Sequence, residues 1–255
     1  MPIPTKIFIV PYRDREPQKH HFEIYMKYIL EDIPESDYKI FFIHQTDNRP
    51  FNRGAIKNIG FLAMKDQYPD DYKNISFIFN DIDTLPVRKN VLNFDTELGT
   101  VKHYYGFNFA LGGIFSIKGA DFEKSGGFPN FWGWGLEDNI ILARILKVGI
   151  KINRDVFYNF LDRNIIHIND DLTKIHTKED IYRLKNNTAD SMFDIKNLVY
   201  TIENNLVQVK KFDTRYDAQN DHYYNKHITE GLSKIKKLPI RSSLQTRFRN
   251  MGFNK

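Results

Sequence analysis

The sequence predicts an α/β fold in which helices cover a parallel sheet. Three strand, loop and helix units follow one another in the first third of the chain, and parallel strands need such crossover helices between them. With 255 residues, the chain is long enough for one large domain or two small ones. Its 41% hydrophobic and 15% aromatic residues argue against disorder. In such folds, ligands bind at the C-terminal ends of the strands.

The elements of these three units are predicted from short apolar runs and from apolar residues at helical spacing. The predicted strands lie at 6–10, 39–43 and 75–79, and the helices between them at 21–30 and 55–65. A loop with charged residues follows each strand, at 12–15, 51–54 and 81–83. Because the carboxyl ends of parallel strands share one edge of a sheet, we expect these three loops to be neighbours.

The remaining elements are predicted more briefly. Residues 104–117 indicate one or two strands with a close backbone approach at Gly112-Gly113. A helix follows from Glu137 to about 148, and a strand lies near 151–153. The pattern Thr-Lys-Glu-Asp opens a helix at 177–184, and a hairpin turns at 203–205. Since the pattern weakens after Phe212, we predict a domain over residues 1–211 and a C-terminal extension over 212–255, helical or partly disordered.

The stretch Gly126 to Asp138 is the strongest candidate for a site. It holds both tryptophans of the chain, four glycines and the adjacent carboxylates Glu137 and Asp138. The alternative interpretation is that these acids only cap the helix that follows. The alternation of Trp and Gly around Trp134 indicates a wall shaped around a flat ligand, which favours a site.

Charge and composition restrict the partners and the compartment. The net charge is +5, and residues 231–255 hold seven Lys or Arg and no acid. This segment suits weak contact with an anionic membrane, or it is a solvated end. With no nucleic-acid motif, we expect no nucleic acid partner. There is no cysteine, no signal-peptide pattern and no apolar run of ~20 residues, so we expect a cytoplasmic location.

Two separate segments indicate a metal site. Asp81-Ile-Asp83 follows an apolar strand, and carboxylates there suit Mg²⁺ or Mn²⁺ bound to substrate phosphates. His167 lies among isoleucines, as either a packed strand residue or a ligand, and its nitrogen would favour Mn²⁺. The same acids allow a phosphatase of the Asp-x-Asp-x-Thr type, but Thr84 stands one place too early for that pattern.

The order and spacing of these motifs resemble the β-1,4-galactosyltransferases over about residues 6–211. The Trp-Gly-Trp-Gly-Leu-Glu-Asp part is highly specific, Phe-Asn-Arg is moderately so, and the paired aspartates are weak alone. The matching segments are Pro-Tyr-Arg-Asp-Arg at 11–15, Phe-Asn-Arg at 51–53, Asp-Ile-Asp at 81–83, Gly112-Gly113, residues 127–138, His167 and residues 176–179.

The resemblance implies a GT-A nucleotide-sugar fold with a mixed sheet flanked by helices. It implies an inverting transfer of galactose or N-acetylgalactosamine from UDP-Gal or UDP-GalNAc to a glycan acceptor. Asp138 matches the catalytic base, Glu137 a residue that orients the sugar, and Asp83 and His167 the ligands of Mn²⁺, with Mg²⁺ as the alternative. The implied donor-binding residues are Pro11, Tyr12, Arg13, Arg15, Phe51, Arg53, Asp81, Ile82, Asp83, Gly113 and Trp134. The implied acceptor-binding residues are Phe107, Ala110, Gly112, Trp134, Glu137 and Asp138.

Departures from the family pattern concern the metal and the substrates. Asn164 and Asn169 stand where branches of the family have a further Met or His ligand, so either is a candidate third ligand. Ala110 replaces a tyrosine that restricts the C2 substituent of the donor, which predicts room for UDP-GalNAc. The segment after His167 is shorter than the family's lid, which leaves the acceptor open. A sugar-binding protein without turnover is the alternative function.

Overall fold

A computed structural model describes residues 2–168 and 174–226 of the chain. Its elements confirm the predicted α/β class. The helices are α1 (Glu16–Ile29), α2 (Arg53–Gln67), α3 (Gly119–Ser125), α4 (Glu137–Lys147) and α5 (Lys178–Lys185). The strands are β1 (Lys6–Tyr12), β2 (Tyr38–Gln45), β3 (Ser76–Asn80), β4 (Thr84–Pro86), β5 (Thr100–Gly106), β6 (Ile114–Lys118), β7 (Lys151–Asn153), β8 (Tyr158–Asn159), β9 (Ile165–His167), β10 (Lys174–Thr177), β11 (Lys196–Glu203), β12 (Leu206–Asp213) and β13 (Tyr223–Lys226).

Nine of these strands form one mixed sheet in the order β11-β12-β2-β1-β3-β6-β5-β7, with β8 paired to β5. Strand β1 is parallel to both β2 and β3, as the three sequence units predicted. Strand β6 is antiparallel to β3 and β5, which makes the sheet mixed. The short connection between β5 and β6 accounts for this direction, because parallel neighbours need a long crossover. Smaller ribbons pair β4 with β9 and β10 with β13.

The central strands are buried on both faces of the sheet. In β1, Ile7 and Ile9 join the core formed with α2, whereas Phe8 and Val10 join the core formed with α1. Successive side chains of a strand point to opposite faces, so a strand covered on both sides reads as a continuous apolar run. This burial explains why residues 7–11 of β1 are all apolar, and it holds the end of β1 in place.

The later elements confirm two local predictions. Strands β11 and β12 form the predicted hairpin, with Glu203 opposite Leu206. The N-cap of α5 is Thr177, whose hydroxyl accepts a hydrogen bond from the amide of Asp180 at 3.1 Å. Such a cap satisfies an amide that the helix itself leaves unpaired.

The predicted boundary at residue 211 falls inside β12. The chain beyond that strand still contacts the segment between α3 and α4, since Thr214 Oγ1 and Tyr216 O accept hydrogen bonds from the indole of Trp132 at 3.1 and 2.8 Å. Residues 227–255, including the basic segment 231–255, lie outside the described residues. No helix within the described ranges is long and apolar enough to cross a membrane. Membrane contact and cytoplasmic location stay predictions.

Candidate active site

The site is organised around Arg53, which bridges the end of β3 to the start of α4. Its Nη2 donates to both carboxylate oxygens of Asp81 at 2.7 Å. Its Nη1 donates to Glu137 Oε1 at 2.7 Å and to Asp138 Oδ1 at 2.9 Å. Arg53 is the first residue of α2, whose N-cap Asn52 accepts from the amide of Ala55 at 2.9 Å. The loops at 51–54 and 81–83 therefore meet, and Arg15 Nη1, 3.2 Å from Asp83 Oδ2, brings in the loop at 12–15, so the expected meeting of the three loops is confirmed.

A second cation, Lys57, completes this charge cluster one helical turn after Arg53. Its Nζ lies 3.1 Å from Asp81 Oδ1 and 3.9 Å from Asp138 Oδ1, and its side chain is fully buried. Burial raises the pKa of Asp81, but the charges of Arg53 and Lys57 outweigh it and hold that pKa well below its usual range. Two cations thus face three carboxylates, and Asp81 stays ionised.

Burial has the opposite result at Glu137. It raises the pKa of this carboxyl above its usual range; the Arg53 charge acts against that rise and the Asp138 charge adds to it. Glu137 is 4% exposed, and its Oε2 has no hydrogen-bond partner among the described residues. A buried carboxylate oxygen without a donor is costly, and a ligand hydroxyl at this point would satisfy it.

The acids are not helix caps. Glu137 and Asp138 are the first two residues of α4, and the N-cap position belongs to Leu136, which makes no side-chain cap. Leu136 has φ +70°, in the left-handed region that is uncommon for a residue with a Cβ. This backbone turns both carboxylates toward Arg53, and such strained positions cluster at functional sites. Neither acid is therefore an N-cap, although both lie in the first turn of α4, where negative charge is favourable.

The Gly112-Gly113 pair lies against both acidic loops. A Cβ on Gly112 would stand 2.8 Å from Asp138 Cγ, so only glycine leaves room for the carboxylate. The amide of Leu111 donates to Asp138 O at 2.8 Å, and the amide of Asp81 donates to Gly113 O at 3.1 Å. The predicted close approach is confirmed, and it ties β3, the glycine pair and α4 together.

The two predicted metal ligands lie on paired segments beside this cluster. Strand β4 pairs with β9, where Thr84 is opposite His167, and the amide of Ile168 donates to Asp83 O at 2.8 Å. Asp83 Oδ2 lies 3.2 Å from Arg15 Nη1. The Tyr105 hydroxyl and His167 Nδ1 are 3.4 Å apart. The ribbon therefore places Asp83 and His167 at neighbouring backbone positions.

A third ligand is not evident in the described part of the chain. Within residues 2–168 and 174–226, no group of three or more His, Cys, Asp or Glu side chains is placed to hold a metal ion. Asn164 lies at the other end of β9, where its Nδ2 donates to Asp162 Oδ1 at 2.9 Å. Asn169 lies outside the described residues. Both stay candidates from the sequence only.

Three of the predicted donor-binding side chains are core residues. Pro11 and Tyr12 are buried in β1, and Ile82 packs in the core beneath α1. The Tyr12 hydroxyl donates to Glu16, and its ring lies 4.7 Å from the ring of His44. Pro11, Tyr12 and Ile82 can therefore present only their backbone to a ligand. Arg13 Nη1 donates to Arg49 O at 2.5 Å, at the same edge of the sheet.

The two tryptophans have different roles. Trp134 is 47% exposed, and its ring meets that of His176 edge-on at 5.3 Å. Trp132 is buried and stacks on Phe212 at 5.4 Å. Of the predicted acceptor-side residues, Phe107 is exposed and Ala110 is buried. Among the aromatic residues from Gly126 to Asp138, only Trp134 has an exposed ring.

A buried histidine that the sequence analysis missed contacts Gly112, one of the predicted acceptor-binding residues. His103 Nδ1 accepts from Arg154 Nε at 3.0 Å, so the proton of the ring lies on Nε2, which faces Tyr105 O at 3.0 Å and Gly112 O at 3.1 Å. Burial, together with the Arg154 charge, lowers the pKa of His103 to about 3. This neutral histidine joins β5 to the glycine pair.

Family models match two consecutive parts of the chain. Residues 3–94 match the N-terminal region of glycosyl transferase group 7. Residues 93–165 match a model described as the N-terminal domain of galactosyltransferase. The two models together cover the charge cluster and Asp83. His167, the other predicted metal ligand, lies two residues beyond the end of the second match.

Curated relatives match the same part of the chain. β-1,4-Galactosyltransferase 2 of Cricetulus griseus is 33% identical over 165 residues, covering 60% of this chain and 43% of the relative. Xylosylprotein 4-β-galactosyltransferase of Caenorhabditis elegans is 33% identical over 155 residues, covering 57% of this chain and 52% of the relative. The chain thus spans about half the length of the curated relatives it matches.

Solved structures have the same fold. The catalytic domain of Drosophila β1,4-galactosyltransferase 7 with xylobiose has a TM-score of 0.67 and 21% identity, covering 85% of this chain and 97% of that one. A mutant of that enzyme, in complex with manganese, UDP-Gal and xylobiose, has a TM-score of 0.65 and 21% identity, with the same coverage. The predicted GT-A fold is confirmed.

Proposed function

The chain belongs to the β-1,4-galactosyltransferase family, and we propose that it transfers galactose from UDP-galactose to a hydroxyl of a glycan acceptor, inverting the anomeric centre. The observation that carries the proposal is the Arg53 bridge, which joins Asp81 at a nucleotide-binding strand end to Glu137 and Asp138. The activities in the names of the relatives, and the UDP-Gal bound to the Drosophila enzyme, support this donor.

In the proposed mechanism, Asp138 accepts the proton of the attacking acceptor hydroxyl. Its side chain is 24% exposed, so an acceptor can reach it, and Arg53 Nη1 holds it in place at 2.9 Å. Glu137 Oε2 accepts a hydrogen bond from another hydroxyl of the acceptor sugar, which orients the attacking hydroxyl toward the anomeric carbon. Arg13 and Arg15, at the end of β1, bind the diphosphate through charge-assisted bonds.

Asp83 and His167 are proposed to hold Mn²⁺, with Mg²⁺ as the alternative ion. One carboxylate and one imidazole fit an ion whose other positions are filled by phosphate oxygens and water. When bound, such an ion neutralises the charge that develops on the departing UDP. Manganese bound to the Drosophila enzyme supports the same ion here.

Replacing Asp83 with asparagine is expected to weaken metal binding. The Mn²⁺ concentration for half-maximal transfer should rise by at least about tenfold. The reason is that the carboxylate of Asp83 is replaced by a neutral amide, which leaves only the His167 imidazole of the two proposed ligands. Titration of Mn²⁺ into protein and UDP, followed by calorimetry, measures the same loss without turnover. Asp95→Asn, an exposed carboxylate paired with Lys6, is the control. Unchanged Mn²⁺ affinity in Asp83→Asn would contradict this assignment.

The donor pocket is proposed to accept UDP-GalNAc beside UDP-Gal, because Ala110 leaves room at the C2 substituent. The variant Ala110→Tyr is expected to lower the rate ratio of UDP-GalNAc to UDP-Gal by at least about tenfold, as steric exclusion of a bulky group does. Donor hydrolysis monitored by UDP release gives the ratio, and Ala110→Ser is the matched control. Absence of any GalNAc use by the wild-type protein would contradict the proposal.

One screen tests the function as a whole. UDP-sugars are incubated with Mn²⁺ and a panel of acceptor glycans that includes β-xylosides and β-N-acetylglucosaminides, and the products are read by mass. A mass gain of one hexose from UDP-Gal supports the proposal. UDP binding without any product would favour the sugar-binding alternative, and phosphate release from simple esters would favour a phosphatase.

A further inference from the structure

Three exposed phenylalanine rings form a continuous row beside the proposed active site. Phe107 stacks on Phe109, with ring centroids 5.1 Å apart at 21°, and on Phe160, at 5.2 Å and 24°. The exposed fractions are 43% for Phe107, 57% for Phe109 and 41% for Phe160. Exposed phenylalanines are ordinary one at a time, but a contiguous apolar group marks a binding surface. We refer to these three residues as the phenylalanine row.

The row runs between the proposed base and the proposed metal site. At one end, Asn139, which follows Asp138, donates from Nδ2 to Phe109 O at 2.9 Å. At the other end, Phe160 meets the ring of His167 edge-on at 5.1 Å. An acceptor whose hydroxyl points at Asp138 therefore has the row next to it.

Hydrogen bonds from several elements hold the row in position. The amide of Phe160 donates to Gly106 O at 3.1 Å, and the amide of Ala110 donates to Phe107 O at 3.2 Å. Arg154 Nη2 donates to Asn108 O at 2.9 Å. A surface that is already ordered loses little conformational entropy when it binds a ligand.

The chemistry of the row selects an apolar ligand. Its rings carry no hydrogen-bonding atom, whereas sugar hydroxyls need polar partners. Phe107 stacks on both of its neighbours, so the three rings form one uninterrupted apolar strip. Alkyl and aryl groups need no polar partner, and they suit such a strip.

We propose that the phenylalanine row binds an apolar aglycone, an alkyl or aryl group carried on the anomeric oxygen of the acceptor sugar. This inference rests on the proposed function, since it takes the acceptor hydroxyl to lie at Asp138. It narrows the acceptor to glycosides with an apolar group attached to the sugar, and it adds Phe109 and Phe160 to the predicted acceptor residue Phe107.

Binding of matched glycosides tests the proposal without turnover. Octyl and methyl β-D-xylopyranoside, and the same pair of β-N-acetylglucosaminides, are titrated into protein saturated with UDP and Mn²⁺, below the micellar concentration of the octyl compounds. The octyl member of at least one pair is expected to bind at least about tenfold more tightly, since burying two methylene groups corresponds to that factor. Equal binding of octyl and methyl members in both pairs would overturn the proposal.

Single substitutions test whether the tighter binding of octyl glycosides depends on the phenylalanine row. Phe109→Ser and Phe160→Ser are each expected to reduce the octyl preference to about threefold or less. Phe193→Ser is the matched control, because Phe193 is 64% exposed on a turn outside the row, and it should keep the preference. Circular dichroism confirms that each variant is folded. A preference retained in both row variants, or lost equally in the control, would also overturn the proposal.

Two further measurements test whether the row binds a lipid surface or a second copy of the chain and not an aglycone. Sedimentation with phosphatidylcholine vesicles that carry no glycoside, lost in Phe109→Ser, would show contact with a lipid surface and not with an aglycone. Self-association by light scattering, lost in the same variant, would show an interface between copies of the chain. Either result without an octyl preference overturns the proposal. An octyl preference without galactosyl transfer in the product screen would reject the proposed function and keep the aglycone site.

Discussion

Replacing Asp138 with asparagine is expected to abolish galactosyl transfer while leaving UDP binding unchanged. The amide cannot accept the proton of the acceptor hydroxyl, and loss of a general base typically lowers the rate by about 10²–10⁴. Asparagine has the size of aspartate, so it still fits against Gly112. The fit is close there, because a Cβ added to Gly112 would stand 2.8 Å from Cγ of Asp138. UDP release with acceptor present measures transfer, and calorimetry with Mn²⁺ measures UDP binding.

A buried carboxylate outside the site provides the control for this variant. Asp121 in α3 is 7% exposed and accepts from the amide of Gly99 at 2.6 Å. Asp121→Asn makes the same chemical change and should keep the wild-type rate. Wild-type activity in Asp138→Asn would remove Asp138 as the base. A lower rate together with lost UDP binding would instead indicate that the variant disturbs the Arg53 cluster.

The position of the site could be predicted from the sequence because it follows from topology. Charged loops after three successive apolar strands must meet when those strands are parallel, and Arg53 does reach Asp81. The glycine pair and the acids of α4 were also found by their residue types. The family resemblance then assigned their roles, although three of the side chains it assigned to the donor lie in the core.

Lys57 was missed although the sequence holds a signal for it. It follows Arg53 by four residues, and positions four apart lie on the same face of a helix. Once Arg53 is placed at the site, a lysine one turn further must lie below it. Its full burial could not be read from the sequence, because a lysine usually keeps its charge in water.

The phenylalanine row could not be predicted from local patterns. Phe107 and Phe109 belong to the loop after β5, whereas Phe160 follows β8, about fifty residues later in the chain. Only the pairing of β8 with β5, which places Tyr105 opposite Tyr158 and Gly106 opposite Asn159, brings these loops together. Likewise, nothing in the alternation of Trp and Gly distinguishes buried Trp132 from exposed Trp134.

The Arg53 cluster implies that the site is held together by charge before any ligand binds. Arg53 is 15% exposed and contacts three carboxylates, while Asp81 Oδ1 also pairs with Lys57. Burial lowers the pKa of Arg53, but the charges of Asp138, Asp81 and Glu137 outweigh that and raise it well above its usual range. The guanidinium therefore keeps its charge, and the cluster couples folding to catalysis.

Replacing Arg53 with methionine is consequently expected to remove activity and to reduce stability together. Removing one partner of a buried ion pair costs about 3–5 kcal/mol, because the remaining charges stay buried and uncompensated. Urea unfolding measures this loss, and UDP release measures transfer. Arg53→Lys should recover part of the stability, since it restores one charge, but little transfer, because an ammonium lacks the planar fork that reaches Asp81 and α4 at once.

The double variant Arg53→Met with Asp81→Asn distinguishes the charge from the packing of the arginine. If uncompensated charge causes the instability, neutralising Asp81 should recover part of the lost free energy, and the two changes will not be additive. Transfer should stay absent, because Glu137 and Asp138 still lack the guanidinium of Arg53. A double variant whose loss equals the sum of the two single losses would show that the charge of Asp81 is not coupled to that of Arg53. In that case the coupling between the nucleotide side and the base would have to come from the backbone bonds of Gly113 and Leu111.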